Sequence, residues 1–162
     1  MTKEEFITAA SAAARACSAR SGFPPGITVA QAALESAWGN SQLARAANNY
    51  FGIKARAGGE HVELPTVEFV AGAAVRVSAK FASYGSMLES FVERDRIIAS
   101  LAVYEEARAA ASEPEAFVRA LARRWATDPQ YAEKVLCVYR EYGLDDLDRK
   151  SPVVSSQSRV ET

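Results

Sequence analysis

The stretch Gly58-Gly59-Glu60-His61-Val62-Glu63-Leu64-Pro65-Thr66-Val67-Glu68-Phe69-Val70-Ala71-Gly72-Ala73-Ala74-Val75-Arg76-Val77-Ser78-Ala79-Lys80 changes the character of the chain. Val62, Leu64, Thr66, Val67 and Phe69 form a β-prone run. Ala71-Gly72-Ala73 is a turn, and beyond it Val75, Val77 and Ala79 alternate with Arg76, Ser78 and Lys80. Period-two alternation on both sides of a glycine turn predicts a β-hairpin. Everything around it reads as helix, so the fold class is decided here: mainly α (α+β), a helical body with one inserted hairpin lobe. A body and a lobe leave a cleft between them, which suits a polymeric ligand.

Upstream, Phe6, Ile7, Ala10, Ala13, Ala14 and Cys17 recur at helical spacing over about residues 3–20. The breaker cluster Ser21-Gly22-Phe23-Pro24-Pro25-Gly26 ends that helix. Thr28 is placed to cap a second helix running to about Trp38, closed by Gly39-Asn40, and Ser41 to cap a short one through Ala47. Downstream, Ser86-Met87-Leu88-Glu89 and Ser112-Glu113-Pro114-Glu115 carry the capping-box pattern. They predict helices to about Leu101 and to Trp125, with a short helix over about residues 102–111 between them. Asp128-Pro129 is placed to cap a last helix ended by Gly143. Residues 1–146 thus read as one domain, and the polar residues 147–162 as a disordered tail. No internal repeat is visible.

Composition excludes several classes of function. The 162 residues hold 19 Lys and Arg against 20 Asp and Glu, a net charge of -1, which gives no electrostatic footprint for nucleic acid. No apolar run approaches the roughly 20 residues of a membrane helix. Lys3, Glu4 and Glu5 interrupt the first residues, so Met1 to Ala16 is not a secretory signal peptide. Action on a substrate outside the cytoplasm then needs a non-Sec route, release by a phage, or a leader missing from this chain. A single histidine, His61, and two distant cysteines fall short of a zinc ligand set, so neither metal nor cofactor is expected. Cys17 and Cys137 read as two buried thiols, and a disulfide between them cannot be read from sequence.

Glu35, in Ala32-Ala33-Leu34-Glu35-Ser36-Ala37-Trp38-Gly39, is the first candidate for chemistry. Helical spacing places Gln31 and Trp38 on its face. Beside an indole and alanines a carboxyl loses hydration, its pKa rises, and a protonated acid near neutral pH can protonate a leaving oxygen. An exposed helix glutamate is the ordinary alternative. In Asn48-Asn49-Tyr50-Phe51-Gly52-Ile53-Lys54 the asparagines suit a tight loop, and Gly52 permits close approach to a ligand. Phe51 and Ile53 read as core, while Asn48 or Asn49 and Tyr50 face a ligand. Tyr84 and Trp125 read as core aromatics able to serve as stacking platforms for a ligand, and Arg123-Arg124 as a solvated helix face.

The segments Ala30-Gln31-Ala32-Ala33-Leu34-Glu35-Ser36-Ala37-Trp38-Gly39 and Asn48 to Lys54 resemble the signature of the endo-β-N-acetylglucosaminidases of glycoside hydrolase family 73. That family includes the muralytic domains of flagellar rod-associated proteins, autolysins and phage lysins. Thr66-Val67-Glu68-Phe69 is similar to the family's hairpin carboxylate segment. Phe81-Ala82-Ser83-Tyr84-Gly85-Ser86 resembles another family stretch, with Ala82 where an arginine is common. Ala126-Thr127-Asp128-Pro129-Gln130-Tyr131-Ala132-Glu133-Lys134 resembles a fourth.

The resemblance spans roughly residues 3–144 and implies a lysozyme-like body. It implies a peptidoglycan hydrolase that cuts the β-1,4 bond after N-acetylglucosamine and works as a monomer in the periplasm or wall. Glu35 would be the general acid, Glu68 an assisting base or stabiliser, and Tyr131 a phenol near the reacting sugar. Trp38, Asn48, Asn49, Tyr50 and Tyr84 would bind glycan. Glu60 and Glu63 lie beside Glu68, and the motif rather than spacing selects Glu68. Cleavage at the N-acetylmuramyl bond, or a non-catalytic peptidoglycan-binding module, are the alternatives, because lysozyme-like folds host them all.

Overall fold

The computed structural model describes residues 1–149. Helix α1, Lys3–Ser21, opens on a capping box: Thr2 Oγ1 accepts from the Glu5 amide at 3.1 Å, and the Thr2 amide donates to Glu5 Oε2 at 3.3 Å. It buries Phe6, Ala10, Ala13, Ala14 and Cys17. This alanine-rich stripe lets helix α2, Pro25–Ser36, lie close against it. From Gly26 to Ala33 every α2 residue is buried, so this helix is the axis of the core. Helix α3 spans Gln42–Ala47 and is capped by Ser41 Oγ, as the sequence leads one to expect.

The start of α2 differs from expectation. Thr28 is a full turn inside the helix, its hydroxyl donating to the Pro24 carbonyl at 3.2 Å. Proline at the first turn needs no amide partner. The Gly26 amide is capped instead from 122 residues away, donating to Asp148 Oδ1 at 2.6 Å while Tyr139 donates to Oδ2 at 2.8 Å. Gly26 is required there, because a β-carbon would stand 2.2 Å from the Leu144 carbonyl oxygen. Leu147 and Asp148, expected in the tail, therefore belong to the body. Residues 150–162 of that expected tail lie outside the described residues.

The hairpin pairs strand β1, His61–Val70, with strand β2, Ala73–Ala82, around Ala71 and Gly72 at φ 52° and 80°. Two positive φ values in a two-residue loop give the turn whose twist matches that of the strands. In this register Val62, Leu64, Thr66 and Glu68 share one face with Phe81, Ala79, Val77 and Val75, and along its base that face is half-buried. Glu63 lies on the opposite, exposed face beside Lys80. The hairpin joins the body at its base, where the Ala55 amide donates to the Lys80 carbonyl and the Ala82 amide to the Ile53 carbonyl, both at 2.9 Å.

The remaining helices complete the body: α4 Met87–Ser100, a 3-10 turn Ala102–Tyr104, α5 Glu105–Ala109, α6 Pro114–Trp125, α7 Tyr131–Glu141 and α8 Asp145–Asp148. Two expected capping boxes are modified. Ser86 Oγ accepts from Glu89, but Glu89 reaches back to the Gly85 amide rather than to that of Ser86. Glu113, without a side-chain bond, rather than Ser112 precedes α6. Asp128 caps no helix, because Gln130 precedes α7; its carboxylate accepts from the Gln130 amide at 2.8 Å and shapes the turn before it. Cys17 and Cys137 are free thiols. Cys17 is buried, but Cys137 is exposed, contrary to expectation, because it falls on the solvent side of α7.

Candidate active site

Glu35 sits in the last turn of α2, half-buried in a cleft of about 700 Å³. Phe51, Ile53, Ile97, Tyr104 and Trp125 supply the apolar lining, and Lys54, Thr127, Asp128 and Tyr131 the polar rim. Two of the four sequence motifs therefore meet at one place: both segments of the first, the helix bearing Glu35 and the loop 51–54, and the segment 126–131. Burial raises the Glu35 pKa above the ordinary carboxylate value, and a hydrogen bond from Tyr131 opposes part of the rise. That bond runs from the Tyr131 hydroxyl to Glu35 Oε1 at 2.6 Å. Burial, with the carboxylate beside it, pushes the Tyr131 phenol far up, so it stays a proton donor.

Gly52 forms the floor beside the acid. Its φ of 68° is left-handed, and a β-carbon there would be 3.9 Å from Glu35 Oε2. The close approach is organised by Asn49, whose buried amide is fully used: Nδ2 donates to the carbonyls of Ile53 and Ala82, and Oδ1 accepts from the amides of Phe51 and Ile53. Asn49 therefore shapes the loop and does not face a ligand. Asn48 ends α3 at φ 50° and donates to the Tyr84 carbonyl at 3.1 Å. Tyr50 is buried against Phe6 and Phe91. Tyr84 lies outside the cleft lining, beside Glu93 and Arg56, its pKa pushed up to about 12 mainly by burial.

Trp38 is displaced furthest from expectation. The helix ends at Ser36, and Ala37 and Trp38 turn left-handed at φ 50° and 59°. This reversal aims the indole away from Glu35, onto Phe6 and Tyr142 at centroid separations of 5.9 and 4.6 Å, with the Lys3 ammonium 5.0 Å from its ring. The Glu35 environment thus comes from Phe51, Ile53, Ile97 and Trp125 rather than from Trp38. Glu68 lies on the hairpin, not in the cleft lining, and reaches the site through Lys54, whose Nζ stands 3.3 Å from Glu68 Oε1. Among the described residues, no three His, Cys, Asp or Glu side chains gather into a metal-ligating group.

Residues 11–144 match the family model described as "Mannosyl-glycoprotein endo-beta-N-acetylglucosaminidase". The chain belongs to the glucosaminidase family. This glucosaminidase domain is 36% identical over 137 residues to the exo-glucosaminidase LytG of Bacillus subtilis, covering 82% of this chain and 49% of that protein. It is 35% identical over 144 residues to the peptidoglycan hydrolase FlgJ of Salmonella typhimurium, covering 85% and 46%. The chain thus spans about half the length of these curated relatives. The catalytic domain of the autolysin Auto from Listeria monocytogenes superposes with a TM-score of 0.81 at 31% identity, covering 90% of this chain and 86% of that one.

Two features of the glucosaminidase site escaped the sequence reading. Arg94 is fully buried and binds Gln31 and Thr28 of α2. Its signal was available, since Phe91, Arg94 and Ile98 share the core face of α4 at helical spacing. Ile97 and Tyr104 as cleft walls left no comparable signal, because wall and core residues share the same apolar pattern.

Proposed function

We propose that this glucosaminidase hydrolyses the glycan strands of bacterial peptidoglycan at the β-1,4 bond after N-acetylglucosamine, with Glu35 as general acid. The observation that carries the reading is the Glu35 carboxyl, desolvated in an open cleft and held on one oxygen by Tyr131. With Oε1 occupied by the phenol, the acidic proton resides on Oε2, on the side of Gly52. From there it passes to the leaving glycosidic oxygen as the bond to the anomeric carbon breaks. The resulting carboxylate is stabilised by the same phenol.

Glu68 is the second carboxylate. It shares the hairpin face whose base is half-buried and stands within an ion pair of the cleft residue Lys54, which supports its closing over a bound glycan. It then acts either as base toward a water or as a stabiliser while the substrate's own N-acetyl group attacks. The relatives' names, peptidoglycan hydrolase and exo-glucosaminidase, support the substrate class. Among the described residues no helix is long and apolar enough to cross a membrane.

The test is digestion of purified sacculi followed by borohydride reduction and mass spectrometry. Reduced N-acetylglucosamine at the new ends is the expected product. Reduced or anhydro N-acetylmuramic acid would move the cut to the other bond, and intact sacculi would leave a binding module.

A further inference from the structure

Arg94 has no exposed surface, and all three of its side-chain nitrogens donate within an internal array. Nε and Nη2 both donate to Gln31 Oε1, at 3.0 and 2.9 Å. Nη1 donates to Thr28 Oγ1 at 3.0 Å and to Asp95 Oδ1 at 2.8 Å. Asp95 in turn accepts from the Ser21 hydroxyl at 2.7 Å, so the buried charge is paired and its partner satisfied. Arginine has no acceptor, so this grip permits one orientation of the Gln31 amide, oxygen toward Arg94 and nitrogen away from it. Gln31 Nε2 is fully buried and, among the described residues, has no partner in hydrogen-bonding geometry. Burial raises the Tyr131 pKa, and the nearby Gln31 amide opposes part of that rise.

Thr28, Gln31 and Glu35 lie along one face of α2 at spacings of three and four residues, and Arg94 and Tyr131 are laid against that face. Resting on the reading of Glu35 as the acid, we infer that Arg94 and Gln31 are positioning residues that orient the Tyr131 hydroxyl. With the phenol oxygen facing a donor, its hydrogen points at Glu35 Oε1, and the acid's own proton is confined to Oε2. Core stability alone does not call for this array, because a hydrophobic residue of similar volume commonly serves as well as a buried ion pair. The other ionisable groups around the acid are Lys54, Asp128 and Tyr104, all in the cleft lining. None of them is bonded to Gln31 or Arg94.

Gln31→Glu keeps an oxygen for Arg94 and replaces the donor with an acceptor that draws the phenol proton away from Glu35. Kinetics across pH should show kcat lowered about tenfold or more with KM little changed, as expected for loss of a hydrogen bond to a charged group. The alkaline limb should move to higher pH. In a Tyr131→Phe background the added kcat loss should vanish, because the effect passes through the phenol. Wild-type kcat with an unmoved limb, or an equal loss in both backgrounds, would overturn the inference.

A second measurement needs no variant at position 31. In the wild-type protein the Gln31 side-chain amide resonances should shift as the Glu35 carboxyl titrates, and in Tyr131→Phe they should not. An amide that ignores Glu35 in the wild type overturns the inference even if Gln31→Glu fails to fold. Full activity of Glu35→Gln would sink the acid reading instead, and would leave this NMR result standing.

Discussion

The Tyr131 hydroxyl donates to Glu35 Oε1 at 2.6 Å across 96 residues of sequence. It ties the first turn of α7 to the last turn of α2 and divides the carboxyl into a held oxygen and a free one. Glu35 must be protonated to act as an acid, so activity should fall as pH rises through its raised pKa. The phenol's bond lowers that pKa, so Tyr131→Phe should shift the alkaline limb of the kcat profile to higher pH and lower kcat by about tenfold or more. A limb that moves to lower pH would reverse the assigned sign.

The same raised pKa has a consequence for stability. A carboxyl whose folded-state pKa lies above its unfolded value contributes stability that is present below the unfolded value and lost as pH rises through the folded one. At neutral pH the charged Glu35 therefore weighs against the fold. Glu35→Gln should melt above wild type at neutral pH, and the difference should close in acid, below the ordinary glutamate pKa. Thermal melts at the two pH values read this directly.

Gly52 faces Glu35 Oε2, whereas Gly22, also at positive φ, has nothing within 4 Å of where a β-carbon would stand. Alanine at either position incurs left-handed strain of about 1–2 kcal/mol. Only Gly52→Ala also places a methyl group against the proton-donating oxygen. Gly22→Ala should lower the melting temperature and leave kcat/KM alone. Gly52→Ala should lower both, and equal kcat/KM for the two variants would contradict the placement of the proton.

The Lys54–Glu68 pair is exposed at both ends, with side-chain exposures of 66% and 45%. Such a pair contributes no more than about 1 kcal/mol, so Glu68→Gln should unfold like wild type. Its activity separates two mechanisms. If Glu68 activates a water, Glu68→Gln should lose on the order of 10²–10⁴ in rate and proton NMR should show an inverted first-formed anomer. If the N-acetyl group attacks, the loss should be smaller and the anomer retained. A covalent adduct on Glu68 would exclude both.

A two-stranded hairpin held chiefly at its base should open at low cost. Amides near the turn, around Phe69 and Ala74, should exchange faster than those of α2. Equal protection would remove the hairpin's role as a lid.

Much of this architecture was legible because its signals are local. Alternating valines around Ala71-Gly72 gave the hairpin, and the stripe from Phe6 to Cys17 gave α1. Spacing did not choose among Glu60, Glu63 and Glu68; it is the strand register that puts Glu63 and Glu68 on opposite faces. Non-local features were not legible. The cap of α2 comes from Asp148, so no residue near Pro25 announces it. The reversal at Ala37 and Trp38 uses left-handed backbone at residues that rarely adopt it, and helical spacing therefore placed Trp38 on the wrong side. Asn49 and Tyr50 sit beside the cleft-lining residues 51–54 in the sequence, yet their polar or aromatic groups are used internally.

The central claim is that Glu35 supplies the proton that cleaves glycan. Its most direct measurement is the rate of soluble fragment release from purified sacculi by wild-type protein and by Glu35→Gln, with circular dichroism confirming equal fold. The variant should lose on the order of 10²–10⁴ in rate while melting at or above wild type. A folded Glu35→Gln variant that releases fragments at the wild-type rate would contradict it.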